Sequence, residues 1–214
     1  MRLLPLLVIA VALLLLAGCG GGRRVTETRQ VGHFDRIAIS DAVDIDVVPG
    51  DGNSVTVSAG EKVIDRIDTE TSDGVLRVGI HDRGIVIGPD PFDDMRIQVP
   101  ASNLDGVRID GSGDLNIGHI TSDDFDLEVS GSGDIEGSGR VDHLTATIEG
   151  DGDAHLFDLV ARTARVAIEG NGDAELHVTD DLDLSVEGAG DVKYRGRPRI
   201  RQTIEGAGDV RPDD

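Results

Sequence analysis

Carboxylates are the side chains of this chain with the most chemistry to offer, and they return at fixed intervals. Asp114, Asp134, Asp153, Asp173, Asp191 and Asp209 each close a four-residue phrase, Gly-X-Gly-Asp. The phrases begin at Gly111, Gly131, Gly150, Gly170, Gly188 and Gly206, so the intervals are 20, 19, 20, 18 and 18 residues. A second series stands just before each phrase: Asp110, Ser130, Glu149, Glu169, Glu187 and Glu205. Serial oxygen donors suit three purposes. They can ligate a hard cation such as calcium, meet a partner directly, or accept hydrogen bonds from backbone N–H groups at their own glycine turns. The third is the usual fate of a turn aspartate, and the sequence leaves all three open. Calcium-binding nonapeptide toxins also combine Gly and Asp, but their repeat is about half as long, so their metal sites are not carried over.

Other chemistries find less support. His33, His81, His119, His143, His155 and His177 fall in different phases of the repeat. His119 lies five residues after its phrase aspartate, His155 two and His177 four. No shared histidine column results, and one cysteine supplies no thiolate set for zinc. Ser112 and Ser132 are small polar turn residues without a base at fixed spacing. A polysaccharide lyase or hydrolase needs clustered or opposed carboxylates, with or without a basic side chain. Here the carboxylates are serial and the only lysines are Lys62 and Lys193. No catalytic residue, resident metal or cofactor is therefore expected; a polysaccharide-active enzyme is the remaining catalytic alternative. Aromatic platforms for sugars are also missing: Phe34, Phe92, Phe125 and Phe157 do not recur in phase, and there is no Trp. A formal net charge of -21 opposes binding to nucleic acid or to a bare anionic membrane.

The elements that must position these carboxylates follow from the period. A repeat near 20 residues marks a stacked architecture, and the residues flanking each phrase alternate as strands do. Val107, Ile109, Leu115 and Ile117 are the apolar positions around the first phrase; Val166, Ile168, Ala174, Leu176 and Val178 are those around the fourth. No helical period occurs there, and each segment is too short for a strand, a helix and two loops. The fold class is therefore all-β, a parallel β-solenoid with about one rung per 18–20 residues. Parity carries both glycines of each phrase to the inward side: Gly111 and Gly113, Gly131 and Gly133, Gly150 and Gly152, Gly170 and Gly172, Gly188 and Gly190, Gly206 and Gly208. These pairs are expected to form a narrow corner with no interior room for a Cβ, and glycine permits positive φ there. The carboxylates then face outward as two columns. Rungs lie ~4.8 Å apart, so neighbours in a column repel by ~0.8 kcal/mol in water.

Residues 106–214 are expected to carry the regular solenoid, and 31–105 an irregular, wider β part of the same domain that caps it. In "IAISDAVDIDVV", Asp44 falls in the aspartate column, while Asp41 and Val43 occupy the glycine places. "PGDGNS" and "TSDGV" are turn signals, and "GEKVIDRI" suits one or two helical turns. Near the other end, Lys193, Arg195, Arg197, Arg199 and Arg201 occupy alternate positions and are expected to form one solvated basic face.

The first residues read differently. One Arg, an apolar run from Leu3 to Ala17 and then small residues make a secretory signal peptide over 1–18, because the run is shorter than the ~20 residues a spanning helix needs. Leu16-Ala17-Gly18-Cys19 resembles the bacterial lipobox. That resemblance implies cleavage before Cys19, lipidation of its sulfur and acylation of the new amino terminus, anchoring the chain to a membrane. Residues 19–30 are expected to form the acylated cysteine and a flexible tether. Gly20, in place of the Asp that marks inner-membrane retention, resembles the outer-membrane sorting pattern of enteric bacteria, and that resemblance implies the outer membrane of a Gram-negative envelope.

The lipobox, the "FDRIAIS…DIDV" start, the "SVTV…LRV" strands and six GxGD phrases in series together resemble the bacterial head GIN domain family, an autotransporter adhesin head and a domain of unknown function. The resemblance spans roughly Phe34 to Val210. It implies a right-handed, β-helix-like solenoid in envelope proteins and brings no catalytic residues. The expected function is a lipid-anchored, non-catalytic envelope module of adhesin type with a protein or envelope partner. The alternative is a calcium-dependent binding module using Glu149, Glu169, Asp153 and Asp173. Neither the partner nor the oligomeric state is readable.

Overall fold

The computed structural model describes residues 23–50, 52–82, 91–92 and 95–213. Cys19 and the expected signal peptide lie outside these residues. Five stretches carry the repeat: β8 (Gly106–Gly111), β9 (Leu115–Gly131), β10 (Ile135–Gly150), β11 (Ala154–Gly170) and β12 (Ala174–Gly188). Each pairs with the next in parallel and nearly in register, so Ser130, Glu149, Glu169 and Glu187 lie one above another. The chain is a β-solenoid of about five turns, as its period requires.

Long strands of this kind cannot be straight. In β11 the inward–outward alternation slips at Phe157–Asp158 and again at Arg162–Thr163, and the pairing with β12 shifts beside both places. A slip of one residue exchanges the faces of a strand, so each slip turns the wall while keeping apolar side chains inside. The Gly-X-Gly-Asp phrase makes the remaining corner. Two further glycines with positive φ, Gly139 (131°) and Gly196 (100°), serve these other bends; sequence periodicity did not single them out.

The interior is a set of apolar stacks. Ile39, Ile109, Val129, Ile148, Ile168 and Val186 form one, each 2 % exposed or less. Ile45, Leu115, Ile135, Ala154, Ala174 and Val192 form another beyond the corner. No polar or charged side chain is buried among the described residues. Burial at ~25 cal/mol per Å² of apolar surface thus holds the prism together from within, and every polar column is left on its outside.

The amino-terminal part is the first rung plus antiparallel additions. β2 (Arg36–Asp41) and β3 (Ile45–Val48) lie under β8 and β9 in parallel register. β6 (Val75–Ile80) pairs with the opposite edge of β2, and β7 (Arg96–Pro100) with that of β3. β5 (Ile67–Ser72) adds antiparallel to β6, and β4 (Ser54–Gly60) to β7. β1 (Arg24–Gln30) pairs antiparallel with β4 along its whole length. Most of the expected tether is therefore strand. The difference arises because an isolated "RVTETRQ" has too little apolar content to declare itself, whereas the edge of β4 supplies its backbone partners. "GEKVIDRI" forms a 3-10 turn at Ile64–Arg66.

At the far end, β13 (Val192–Arg195) and β14 (Arg199–Gly206) stack on different parts of β12, and β15 (Val210–Pro212) stacks on β13. The corner at Gly196 separates Arg195 from Arg199. The expected single basic face is thus two: Lys193 and Arg195 lie on one wall, Arg199 and Arg201 on the next.

Candidate functional site

The phrase corner is built by hydrogen bonds between rungs. The residue after the first glycine donates its N–H to the first glycine's carbonyl one rung below: Ser132 to Gly111 (3.0 Å), Asp151 to Gly131, Asn171 to Gly150 and Ala189 to Gly170 (each 2.9 Å), and Ala207 to Gly188 (2.8 Å). Each phrase aspartate donates its N–H to the Oδ1 of the aspartate below. Asp114 donates to Asp44 (3.0 Å), Asp134 to Asp114 and Asp153 to Asp134 (each 3.1 Å), Asp173 to Asp153 (2.8 Å), Asp191 to Asp173 (2.7 Å) and Asp209 to Asp191 (2.9 Å). Meanwhile the aspartate carbonyls accept from the other direction, as in Ala154 N–H to the Asp173 carbonyl at 2.9 Å. A strand bent this sharply cannot aim a carbonyl at every N–H above it. The carboxylate supplies the missing acceptor.

Of the three uses the sequence left open, backbone hydrogen bonding is the one observed, but with a correction: the aspartate does not serve its own turn. The partner is the next rung, so Asp114, Asp134, Asp153, Asp173, Asp191 and Asp209 form one ladder, with Asp44 at its foot. Carboxylate-to-N–H bonds are charge-assisted and stronger than neutral ones, which offsets the repulsion within the column.

The glycine geometry also needs correction. Gly113, Gly133, Gly152, Gly172 and Gly190 are buried, as inward parity requires, but Gly111, Gly150, Gly170 and Gly188 are only partly buried and Gly131 and Gly206 are exposed; Gly208, in the last rung, is half-buried. The first glycines hold φ between 125° and 151°, outside the reach of ordinary L residues. At both places an added Cβ would strike the carbonyl of the residue one rung below, Asp41 or Val43 for the first phrase and a glycine for the others. At Gly152, Gly172, Gly190 and Gly208 it would also press on the core side chains of Val129, Ile148, Ile168 and Val186 at 3.1–3.3 Å, so interior room is short there too, but the tightest crowding runs along the solenoid axis. This is why Asp41 and Val43 are tolerated in the first rung, where β6 and β7 cover the neighbouring strands but pair with neither residue. Asp41 adopts φ 67°, in the left-handed region that Asp enters more readily than most residues.

The second acidic column behaves differently. Ser40, Asp110, Ser130, Glu149, Glu169, Glu187 and Glu205 lie in register on the solvent side of the same wall. Arg108 holds Asp110 at 2.9 Å. Glu149, Glu169, Glu187 and Glu205 are exposed and make no ion pair or side-chain hydrogen bond among the described residues. Four adjacent rungs therefore present free carboxylates on a flat strand surface.

A mixed column stands on the other side of the corner, two residues after each phrase aspartate: Asn116, Glu136, His155, Glu175, Lys193 and Arg211. Lys193 Nζ reaches Glu175 Oε1 at 3.1 Å, and His155 Nδ1 lies 3.3 Å from Glu175 Oε2. Burial pushes the Glu175 carboxyl up, but the hydrogen bonds from Lys193 and His155 and their charges more than offset it, leaving it below the ordinary glutamate value. The constant offset from the phrase is a signal the sequence carries; the reading by alternate positions near the chain's end passed over it. An open groove of about 410 Å³ runs beside this column, with Phe157 in its lining and Arg195 stacked 3.9 Å over that ring.

Arg199 clasps Asp181 through two bonds of 2.8 and 2.9 Å and holds its carboxyl below the usual range. Among the described residues no group of three or more His, Cys, Asp or Glu side chains is placed to hold a metal ion. Cys19 lies outside them.

Fold and surface together define a parallel β-solenoid with in-register polar ladders. Residues 33–198 match the family described as "putative auto-transporter adhesin, head GIN domain", and the chain belongs to it. Solved structures with the same fold include a putative adhesin from Bacteroides fragilis NCTC 9343, at 21 % identity and a TM-score of 0.74, with 90 % of this chain and 98 % of that one covered. A putative adhesin from Parabacteroides distasonis ATCC 8503 is 22 % identical with a TM-score of 0.53, covering 91 % and 98 %. A putative lipid binding protein from the same organism is 21 % identical with a TM-score of 0.57, again covering 91 % and 98 %. No curated protein matches the chain significantly. The family is one of adhesin-type proteins of the cell surface or envelope.

Proposed function

We propose that this protein is a lipid-anchored, non-catalytic envelope module that uses a flat acidic wall to hold a protein or envelope partner. One observation carries the reading: Glu149, Glu169, Glu187 and Glu205 are aligned, exposed and without ion-pair or side-chain hydrogen-bond partners among the described residues. Keeping four like charges in register costs stability, and a basic partner surface would offset that cost. The aspartate ladder, by contrast, is already engaged with the backbone. Family membership supports adhesion, and Cys19 supplies the anchor to the outer membrane. The module works without a cofactor.

The test is capture of partners from an envelope extract by the immobilised chain and by a Glu149→Gln/Glu169→Gln/Glu187→Gln variant. The native chain is expected to retain a partner that leaves as salt is raised, and the variant to lose it. Equal recovery from both would remove the glutamate wall from the function. Recovery that needs added calcium, with heat on calcium titration, would favour the calcium-dependent alternative. In cells, Cys19→Ser is expected to shift the protein from the membrane to the soluble fraction; unchanged sedimentation with membranes would end the anchor reading.

A further inference from the structure

The last rung presents β14, Arg199–Gly206, which pairs with β12 along one edge. Among the described residues no strand pairs with its other edge. Beneath that edge the core is not closed: Ile200 and Ile204 pack against it while only half-buried. Gln202 occupies the stack that Val107, Leu127, Ala146, Val166 and Leu184 fill in earlier rungs, and it is exposed. An unpaired edge with half-covered apolar side chains is a template for another strand.

We propose that the occupant is a second copy of this chain, its β14 added antiparallel about a two-fold axis through Gln202. Directly opposed residues in an antiparallel pair point to the same face. This register therefore sets Arg199 against the partner's Glu205 twice, Ile200 against Ile204 twice, Arg201 against Thr203 twice, and Gln202 against itself. Charges meet opposite charges on the outer face, and the isoleucines of the two cores meet on the inner. The neighbouring two-fold registers are poorer. Centring on Arg201 opposes two arginines, and centring on Thr203 sets Ile204 against Gln202. Arg199 is free to take part, because its side chain is 84 % exposed even while bonded to Asp181 and a guanidinium has donors for two carboxylates. Glu205 has no ion pair or side-chain hydrogen bond among the described residues. The opposed amides of Gln202 can bond to each other, which gives a polar residue in an apolar stack a reason to be there. A two-fold edge pairing closes on itself, so it stops at the dimer.

Sedimentation velocity on the chain from Cys19 onward, in reducing buffer, tests this. The native chain is expected to show a reversible monomer–dimer equilibrium. Glu205→Arg turns both attractive cross-strand pairs repulsive and should weaken association roughly tenfold or more. It places Arg over Glu187 within the chain, so its melting temperature should hold. The double change Arg199→Glu/Glu205→Arg restores opposite charges in this register alone and should recover the dimer. Should the double variant melt early through loss of the Asp181 pair, Glu205→Gln decides instead, with measurable weakening expected. A native chain that stays monomeric at every concentration reached overturns the proposal. So does a dimer indifferent to Glu205→Arg or Glu205→Gln, or a folded double variant that does not recover.

Discussion

A methyl group on Gly170 would enter the space of the Gly150 carbonyl, on a backbone held at φ 142°. Neither problem can relax separately, because that carbonyl is already fixed by the Asn171 N–H at 2.9 Å. Gly170→Ala is therefore expected to cost about 3 kcal/mol, the range for a residue forced into a sparsely populated conformation, and to lower the melting temperature sharply. Gly60 provides the contrast. Its nearest neighbour to an added Cβ is Val63 Cγ2 at 3.8 Å, an ordinary contact. Gly60→Ala should be neutral or stabilise by ~0.4–1 kcal/mol through the unfolded chain. Calorimetric melting of the two variants compares them directly; similar losses would mean that glycine content, rather than contact between corners, sets stability. The repeated glycines were visible in the sequence, but the direction of the crowding was not. Parity speaks only of inside and outside, whereas the clash runs from rung to rung.

At the scale of the corner, the aspartate ladder explains why the fourth phrase position is held. Asp153 accepts the Asp173 N–H at 2.8 Å and donates its own N–H to Asp134 at 3.1 Å. Asp153→Ala leaves the Asp173 N–H without its acceptor and is expected to cost ~1–3 kcal/mol. Asp153→Asn keeps a carbonyl oxygen at the same place and should cost less than half as much. Thermal unfolding of both variants, with amide exchange read at Asp173, checks this: exchange there should quicken in the alanine variant and barely change in the asparagine variant. Equal losses would show that charge, not an acceptor in the right place, is what the ladder uses. Sequence alone named these six aspartates but left open whether they serve their own turns, a cation or a partner. The correct assignment needs the distance between rungs.

Across the whole molecule, stability is nearly a sum over rungs and the interfaces between them. Deleting residues 151–170 joins Gly150 to Asn171 and regenerates a Gly-Asn-Gly-Asp corner with β10 facing β12. The shortened chain is expected to fold cooperatively and to melt below the native protein. Deleting 151–169 instead leaves one residue extra and exchanges the two faces of the wall, so it should fail to fold. Circular dichroism and melting curves distinguish the two. If both fold alike, register is not what binds one rung to the next.

Residue type and spacing along a strand suffice to give the period and the outward placement of both acidic series. What each carboxylate touches was settled by the tertiary structure. Asp173 and Glu169 are four residues apart and both end in a carboxylate, yet one accepts a backbone hydrogen bond from the next rung and the other has no partner among the described residues. It also decided that Arg24–Gln30 is strand and that the late basic residues divide across a bend. Those outcomes turn on which edge lies alongside and how far away it is, and residues distant in the chain set both.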